Sequence, residues 1–327
     1  MNSLNIFIIF GVTGDLANRK IFPAINALIK RNELPKNTYL IGCGRGDKKV
    51  NTFKKLDKKI SKYSEYIKIN TSNLDDFKIL KRKLNSLKSK FKTDKINVIS
   101  YLSTPPQSYN DIILNIIKSE INKQGYGYSR IVIEKPFGQN LKSAKKLNKL
   151  LKTGFNENQI FRIDHYLGKE TVQNILVSRY SNLVFNALWN RKHISYIEIT
   201  AAEDIGIKKR GEYYDKSGAI KDMFQNHLLE LLSLIAMNDP IENSPDSIRD
   251  EKVNVLKSIK KVDYKNNIVR GQYIKSKGRK GEHYNSYRSS EGVSNNSKTE
   301  TYFACKLFIE NERWKDIPFF IRTGKRM

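Results

Sequence analysis

Nine consecutive residues, Arg162-Ile163-Asp164-His165-Tyr166-Leu167-Gly168-Lys169-Glu170, gather a carboxylate, an imidazole, a phenol and an ammonium. Such a set can move protons and hold an anion. The apolar lead-in, Gln159 to Phe161 with Ile163, reads as a short strand. Leu167-Gly168 reads as a bend, and Lys169 to Tyr180 as a helix. Polar groups at a strand's C-terminal end stand where open α/β sheets bind ligands. A charged surface turn would use the same residues, and these nine alone leave the choice open.

A second candidate group lies in Lys221-Asp222-Met223-Phe224-Gln225-Asn226-His227, on a helical pattern from Ala219 to about Met237. Histidine suits proton exchange near neutral pH. Asp222 and His227 are five apart, on neighbouring helical turns but not on one line. A lone helix histidine is more often structural than catalytic. It becomes a base when a carboxylate orients it. Asp164 can do this if the helix carrying His227 lies over the sheet edge. No His/Cys spacing suits zinc, so no metal is expected.

The third candidate is a phosphate cradle. The uncharged run Leu4 to Phe10 reads as a buried strand. It leads into Gly11-Val12-Thr13-Gly14-Asp15-Leu16-Ala17-Asn18-Arg19-Lys20 and a helix to about Arg31. Strand, glycine turn and helix form the context of a dinucleotide fingerprint. Gly11 permits the tight turn, Gly14 a close backbone approach to a pyrophosphate, and the helix N-terminus favours the anion. The spacing is G-x-x-G-x-x-A, so a plain tight turn remains an alternative. After the next strand, Thr38 to Gly42, comes Arg45, with no acid before Asp47. An arginine there fits the 2′-phosphate of NADP.

These groups need a framework. Strands are expected at 4–10, 38–42, near Tyr66–Ile69, at 96–103 and 130–134, with helices from Ser108 to about Gln124 and over 141–155. The β-α-β order predicts a doubly wound parallel sheet. Lys135, just past the fifth strand and before Pro136, stands at its ligand edge. Pro136 is a candidate for a cis bond. After residue 180 the pattern changes. Ser195 to Ala202 alternates like a half-buried antiparallel strand, with Glu203 at its end. Residues 211–218 read as a loop, Ser247 to Ile259 as a helix and 275–298 as a long exposed loop. Two more strands are expected over 299–309 and 314–321, before a glycine-lysine turn at Gly324-Lys325.

With 327 residues and 39% hydrophobic content, the chain can build two domains with sizeable cores. Its net charge is +27, from 60 Lys and Arg against 33 Asp and Glu. The lysines are scattered, without a stripe interleaved by aromatics, so no nucleic-acid partner is expected. The charge favours anionic substrates. Two cysteines, Cys43 and Cys305, build no disulfide framework and point to a reducing, cytoplasmic setting. No apolar run is long enough to span a membrane.

Taken together, the stretches Gly11–Lys20, Glu134–Gly138, Arg162–Glu170, Asp222–His227 and Arg322–Lys325 resemble those of the glucose-6-phosphate dehydrogenase family. Tyr101–Pro106, Trp189-Asn190-Arg191 and Ser247–Leu256 add shorter likenesses. The resemblance implies an α/β protein: an N-terminal Rossmann-like NADP-binding domain over 1–163, then an α+β substrate and dimerisation domain with a largely antiparallel sheet over 164–327. It implies oxidation of glucose 6-phosphate at C1 by NADP to 6-phospho-D-glucono-1,5-lactone, the opening step of the oxidative pentose phosphate pathway. His227 would be the general base and Asp164 its partner. His165, Tyr166 and Lys169 would bind the phosphate. Lys135, Glu203 and Asp222 would hold sugar hydroxyls, and Lys325 would also reach the substrate. Gly11, Thr13, Gly14, Asp15, Leu16, Arg45, Tyr101 and Lys135 would line the NADP site, with Lys20 near it. Family chains form homodimers and continue well past the glycine-lysine turn, so the second domain is expected to be truncated, with an uncovered sheet edge. Three rival readings are a non-catalytic remnant of this enzyme, another NADP-dependent sugar oxidoreductase of the same two-domain plan, and a basic nucleic-acid binder.

Overall fold

The computed structural model describes residues 3–47, 52–123, 125–242, 244–278 and 281–327. The chain divides into two compact units, Met1–Ile163 and Asp164–Met327.

The first unit carries six strands: β1 (Leu4–Phe10), β2 (Thr38–Gly44), β3 (Ser64–Lys68), β4 (Ile96–Leu102), β5 (Ser129–Glu134) and β6 (Ile160–Ile163). All pair in parallel, in the order β3-β2-β1-β4-β5-β6. The order reverses between β1 and β4, which is the switch point of a doubly wound sheet. Strand alternation sends side chains to both faces. Leu4, Ile6, Ile8 and Phe10 join a core with the helices Leu74–Phe91, Tyr109–Lys118 and Leu141–Lys152. Ile9 points to the other face and packs with Phe22 and Ile25 of the helix Phe22–Lys30. Each fully buried residue of this size contributes about 1.5–3 kcal/mol.

Local sequence marks where the helices begin. Asn73 accepts from the Asp75 amide, and Asn140 with Ser143 forms a capping box. The helix expected from Ser108 to Gln124 is shorter. A 3-10 turn, Pro106–Ser108, precedes the α-helix Tyr109–Lys118, and Glu120 adopts φ 56° and closes it. Gln124 lies outside the described residues. The Lys135–Pro136 bond is cis.

The second unit holds a four-stranded sheet of β7 (Ile197–Glu203), β8 (Ile268–Gly271), β11 (Tyr302–Phe308) and β12 (Pro318–Lys325). A two-stranded ribbon, β9 (Ser276–Lys277) and β10 (His283–Tyr284), stands apart from it. The sheet order is β7-β12-β11-β8. β11 pairs antiparallel with both neighbours, whereas β7 runs parallel to β12, against the antiparallel expectation. Alternation along a strand reports its two faces, not the direction of its neighbour. The expected glycine-lysine turn is likewise strand: Gly324 and Lys325 close β12, which has partners on both sides.

Two segments read as loops are ordered differently. Gly211–Ala219 is helical. Within 275–298, Tyr287 is fully buried and its hydroxyl donates to Asp215 at 2.8 Å, so this end of the stretch is pinned to that helix. Arg279 and Lys280 lie outside the described residues.

The core of this unit joins Leu228, Leu232 and Leu234 to Phe303, Cys305, Leu307, Phe319 and Ile321. Trp314 is fully buried, and its indole donates to the Ala236 carbonyl at 2.8 Å. Buried Arg179 donates to the carbonyls of Leu234 and Met237 at 2.6 and 2.7 Å. It thereby satisfies acceptors left over at the end of the helix Leu229–Ala236.

Candidate active site

In the first unit the expected coenzyme residues collect at the C-terminal ends of neighbouring strands. Gly11 follows β1 with φ 82°, and a side-chain carbon there would sit 2.7 Å from the Ser103 carbonyl beyond β4. Only glycine fits this conformation and this closeness without strain. The amides of Gly11 and Val12 donate to the Cys43 carbonyl at 2.8 and 3.2 Å, which ties the turn to β2. Thr13, Gly14, Asp15, Leu16 and Lys20 continue this turn into the helix, with Thr13, Asp15 and Lys20 exposed. Arg45 is exposed just past β2, and the neighbouring Asp47 is paired with Lys68 at 2.7 Å. At the ends of β4 and β5, the Tyr101 hydroxyl donates to Glu134, the residue before Lys135.

In the second unit, Asp164 receives the Tyr166 amide at 2.9 Å in a local Asx turn. The same carboxylate reaches His227: Oδ1 and Oδ2 stand 2.6 and 2.8 Å from Nδ1. The His227 side chain is 1% exposed. Burial raises the Asp164 carboxyl, but the hydrogen bonds from His227 and the Tyr166 amide outweigh it and hold it below its ordinary value. Aromatic rings enclose the imidazole. Tyr166 stacks on it at 4.1 Å and 17°, and His165 meets it edge-on at 4.6 Å. The Lys169 ammonium sits 3.5 Å from the centre of the Tyr166 ring.

His227 and Asp222 both lie on Ile220–Leu228, which is π-helical. Its i→i+5 bonding brings residues five apart onto nearly one line, unlike the α-helical spacing assumed from sequence. Asp222 is buried and receives the Tyr213 hydroxyl at 3.3 Å. Glu203, at the end of β7, is paired with Lys325, its register partner on β12. Burial, then the charges of Glu203, Asp164 and Asp222, push the Tyr166 phenol upward, so it remains a proton donor across the physiological range.

Five of the expected residues therefore form one connected group: Asp164, His165, Tyr166, Lys169 and His227, with Glu203 and Asp222 acting on it through their charges. Lys325 joins through Glu203. Reading the sequence missed Tyr213 and Tyr214, because their stretch reads as a loop. Tyr214 is fully buried, with the Lys325 ammonium 5.6 Å from its ring centre. The paired aromatics between Gly211 and Gly218 were the available signal. Among the described residues, no group of three or more His, Cys, Asp or Glu is placed to hold a metal. No helix among them is long and apolar enough to cross a membrane.

Residues 8–174 match the family described as glucose-6-phosphate dehydrogenase, NAD binding domain, and residues 176–327 match its C-terminal domain. The chain is 40% identical to the glucose-6-phosphate 1-dehydrogenase of Treponema pallidum over 99% of its own length and 66% of that protein. It is 44% identical to that of Borreliella burgdorferi, over 97% of its own length and 68% of that protein. A solved glucose-6-phosphate dehydrogenase in complex with its substrate glucose-6-phosphate superposes with a TM-score of 0.89 at 34% identity, covering 99% of this chain and 69% of that one. The chain thus spans about two thirds of the length of these relatives.

Proposed function

The chain belongs to the glucose-6-phosphate dehydrogenase family, and on that premise we propose that it oxidises D-glucose 6-phosphate at C1 with NADP, giving 6-phospho-D-glucono-1,5-lactone and NADPH. The observation that carries this reading is the grip of both Asp164 oxygens on His227 Nδ1.

Oxidation at C1 removes a proton from the hydroxyl and a hydride from carbon. A nicotinamide dinucleotide, when bound, supplies the hydride acceptor. The residues of the first unit fit such a group: the positive-φ turn at Gly11 opens a backbone cradle at the switch point of the sheet. Thr13, Gly14, Asp15, Leu16 and Lys20 extend that cradle, and Tyr101 and Lys135 flank it at the strand ends. Exposed Arg45 supports the choice of NADP, since its guanidinium suits a 2′-phosphate.

The proton is the protein's task. Asp164 fixes the ring by holding Nδ1–H, so Nε2 is the nitrogen that accepts the C1 hydroxyl proton. The carboxylate then stabilises the resulting imidazolium. His165, Tyr166 and Lys169 offer an imidazole, a phenol and an ammonium to the phosphate. Glu203 and Asp222 hold sugar hydroxyls, and Lys325, paired with Glu203, contributes a positive charge beside them. Two free, buried thiols, Cys43 and Cys305, suit a cytoplasmic setting. Exposed Tyr196, just before β7, and the exposed sheet residues Val269 and Phe320 support a homodimer.

The test is absorbance of the reduced nicotinamide with glucose 6-phosphate, against free glucose as the control. Turnover with the phosphorylated sugar only is expected. His227→Asn should lower kcat by about 100- to 10,000-fold while sugar-phosphate binding persists. Turnover that survives this substitution removes His227 from the role of base.

A further inference from the structure

The segment carrying Asp222 and His227 begins at a break. Gly218 has φ 65° and interrupts the preceding helix, so the chain must start a new one at Ala219 and Ile220. The first amides of a helix need acceptors from outside it. No neighbouring side chain caps Ile220–Leu228. A residue 80 positions later does so: Glu300 accepts the Ile220 amide on Oε1 at 3.0 Å and the Ala219 amide on its own carbonyl at 3.0 Å. Glu300 is 9% exposed, and a side-chain carbon at Gly218 would collide with its carboxylate. The next residue, Thr301, accepts the Lys325 amide at 2.9 Å. One corner of the chain, Glu300-Thr301, therefore holds both the start of the Asp222–His227 segment and the backbone of Lys325.

We propose that Glu300 is a positioning residue, whose carboxylate fixes the segment Ile220–Leu228 so that His227 meets Asp164 and Asp222 stands where Lys325 is also held. It accepts two backbone amides at the start of the segment and so acts through the backbone. The role deepens the dehydrogenase reading and rests on it for its effect on turnover, but its geometric part is tested separately.

The experiment uses the full chain with isotope-labelled histidine and follows the ring N–H proton of His227, assigned by its loss in Asp164→Asn. This signal is read whether or not the chain turns over, so a silent parent enzyme would fail the functional reading alone. In Glu300→Ala the resonance is expected to shift or broaden. In Glu300→Gln, which keeps an oxygen acceptor for Ile220, it should return to its place. In the turnover assay, Glu300→Ala should lower kcat by about ten- to a hundredfold with KM changed less than about threefold. An unmoved resonance in Glu300→Ala overturns the proposal, as does a Glu300→Gln variant that behaves like the alanine. If Glu300→Ala does not fold cooperatively, Glu300→Asp decides in the same way: its carboxylate is withdrawn by one methylene, so a displaced resonance supports the role and an unmoved one overturns it.

Discussion

Asp164 and His227 are 63 residues apart in sequence, yet both oxygens of the one lie within 2.8 Å of a single ring nitrogen of the other. That contact ties the unit's first residue to the middle of its longest helical run. It also makes the unit's stability depend on the charge of one carboxylate. The Asp164 carboxyl is held below its ordinary value in the folded chain, although burial alone would raise it. The unfolded chain therefore takes up the proton first as pH falls. The contribution of Asp164 is full above the ordinary carboxylate range and is lost as pH drops through the lowered folded value. Melting temperature followed across acidic pH should fall less steeply for Asp164→Asn than for the parent. Parallel curves would mean that the pair does not couple to folding.

Lys325 offers a different lever. Its side chain is 2% exposed and its ammonium is paired with Glu203, which is 30% exposed. Removing the acid strands a buried charge, whereas removing both partners does not. Glu203→Ala should cost about 3 kcal/mol by denaturant titration, and adding Lys325→Met to it should recover part of that loss. A double variant less stable than Glu203→Ala alone would show that the ion pair is not what holds the lysine.

At Gly11 the backbone stands at φ 82° against the Ser103 carbonyl. Gly11→Ala adds strain and a clash at once. A loss of about 1–3 kcal/mol is expected in thermal unfolding, together with weaker nucleotide binding by calorimetry. Unchanged values for both would mean that the turn relaxes freely.

Arg45 should set coenzyme choice. Arg45→Ala is expected to lower the preference for NADP over NAD by about ten- to a hundredfold, the worth of about 1.5–3 kcal/mol for a charge-assisted contact. The measurement is the ratio of kcat/KM for the two coenzymes. An unaltered ratio would place discrimination elsewhere.

Much of this arrangement is legible in the sequence where local chemistry and tertiary structure agree. The uncharged run before Gly11 is buried as β1, and the acid-histidine-tyrosine stretch forms its turn through Asp164 and the Tyr166 amide. The unread parts depend on partners far away in the chain. Nothing in Ser195 to Ala202 announces that its neighbour, β12, runs parallel to it. Asp222 and His227 looked out of line because a helix of ordinary pitch was assumed, and the segment is π-helical. Tyr213 and Tyr214 are missed because residues 211–218 read as a loop, whereas Gly211–Ala219 is helical. Glu300, between two threonines, gives no hint of burial, since the amides that require it belong to residues 219 and 220.

The position of β12 has a consequence for how the site comes into being. The Glu203–Lys325 contact spans 122 residues, and β12 is inserted between β7 and β11. During synthesis every other acidic and aromatic member of the cluster emerges first and must wait for this strand. Closing so long a loop is among the slower events in folding. The lysine therefore arrives only when the sheet has accepted its central strand. The Lys325–Glu203 pair therefore reports that β12 has docked in register beside β7.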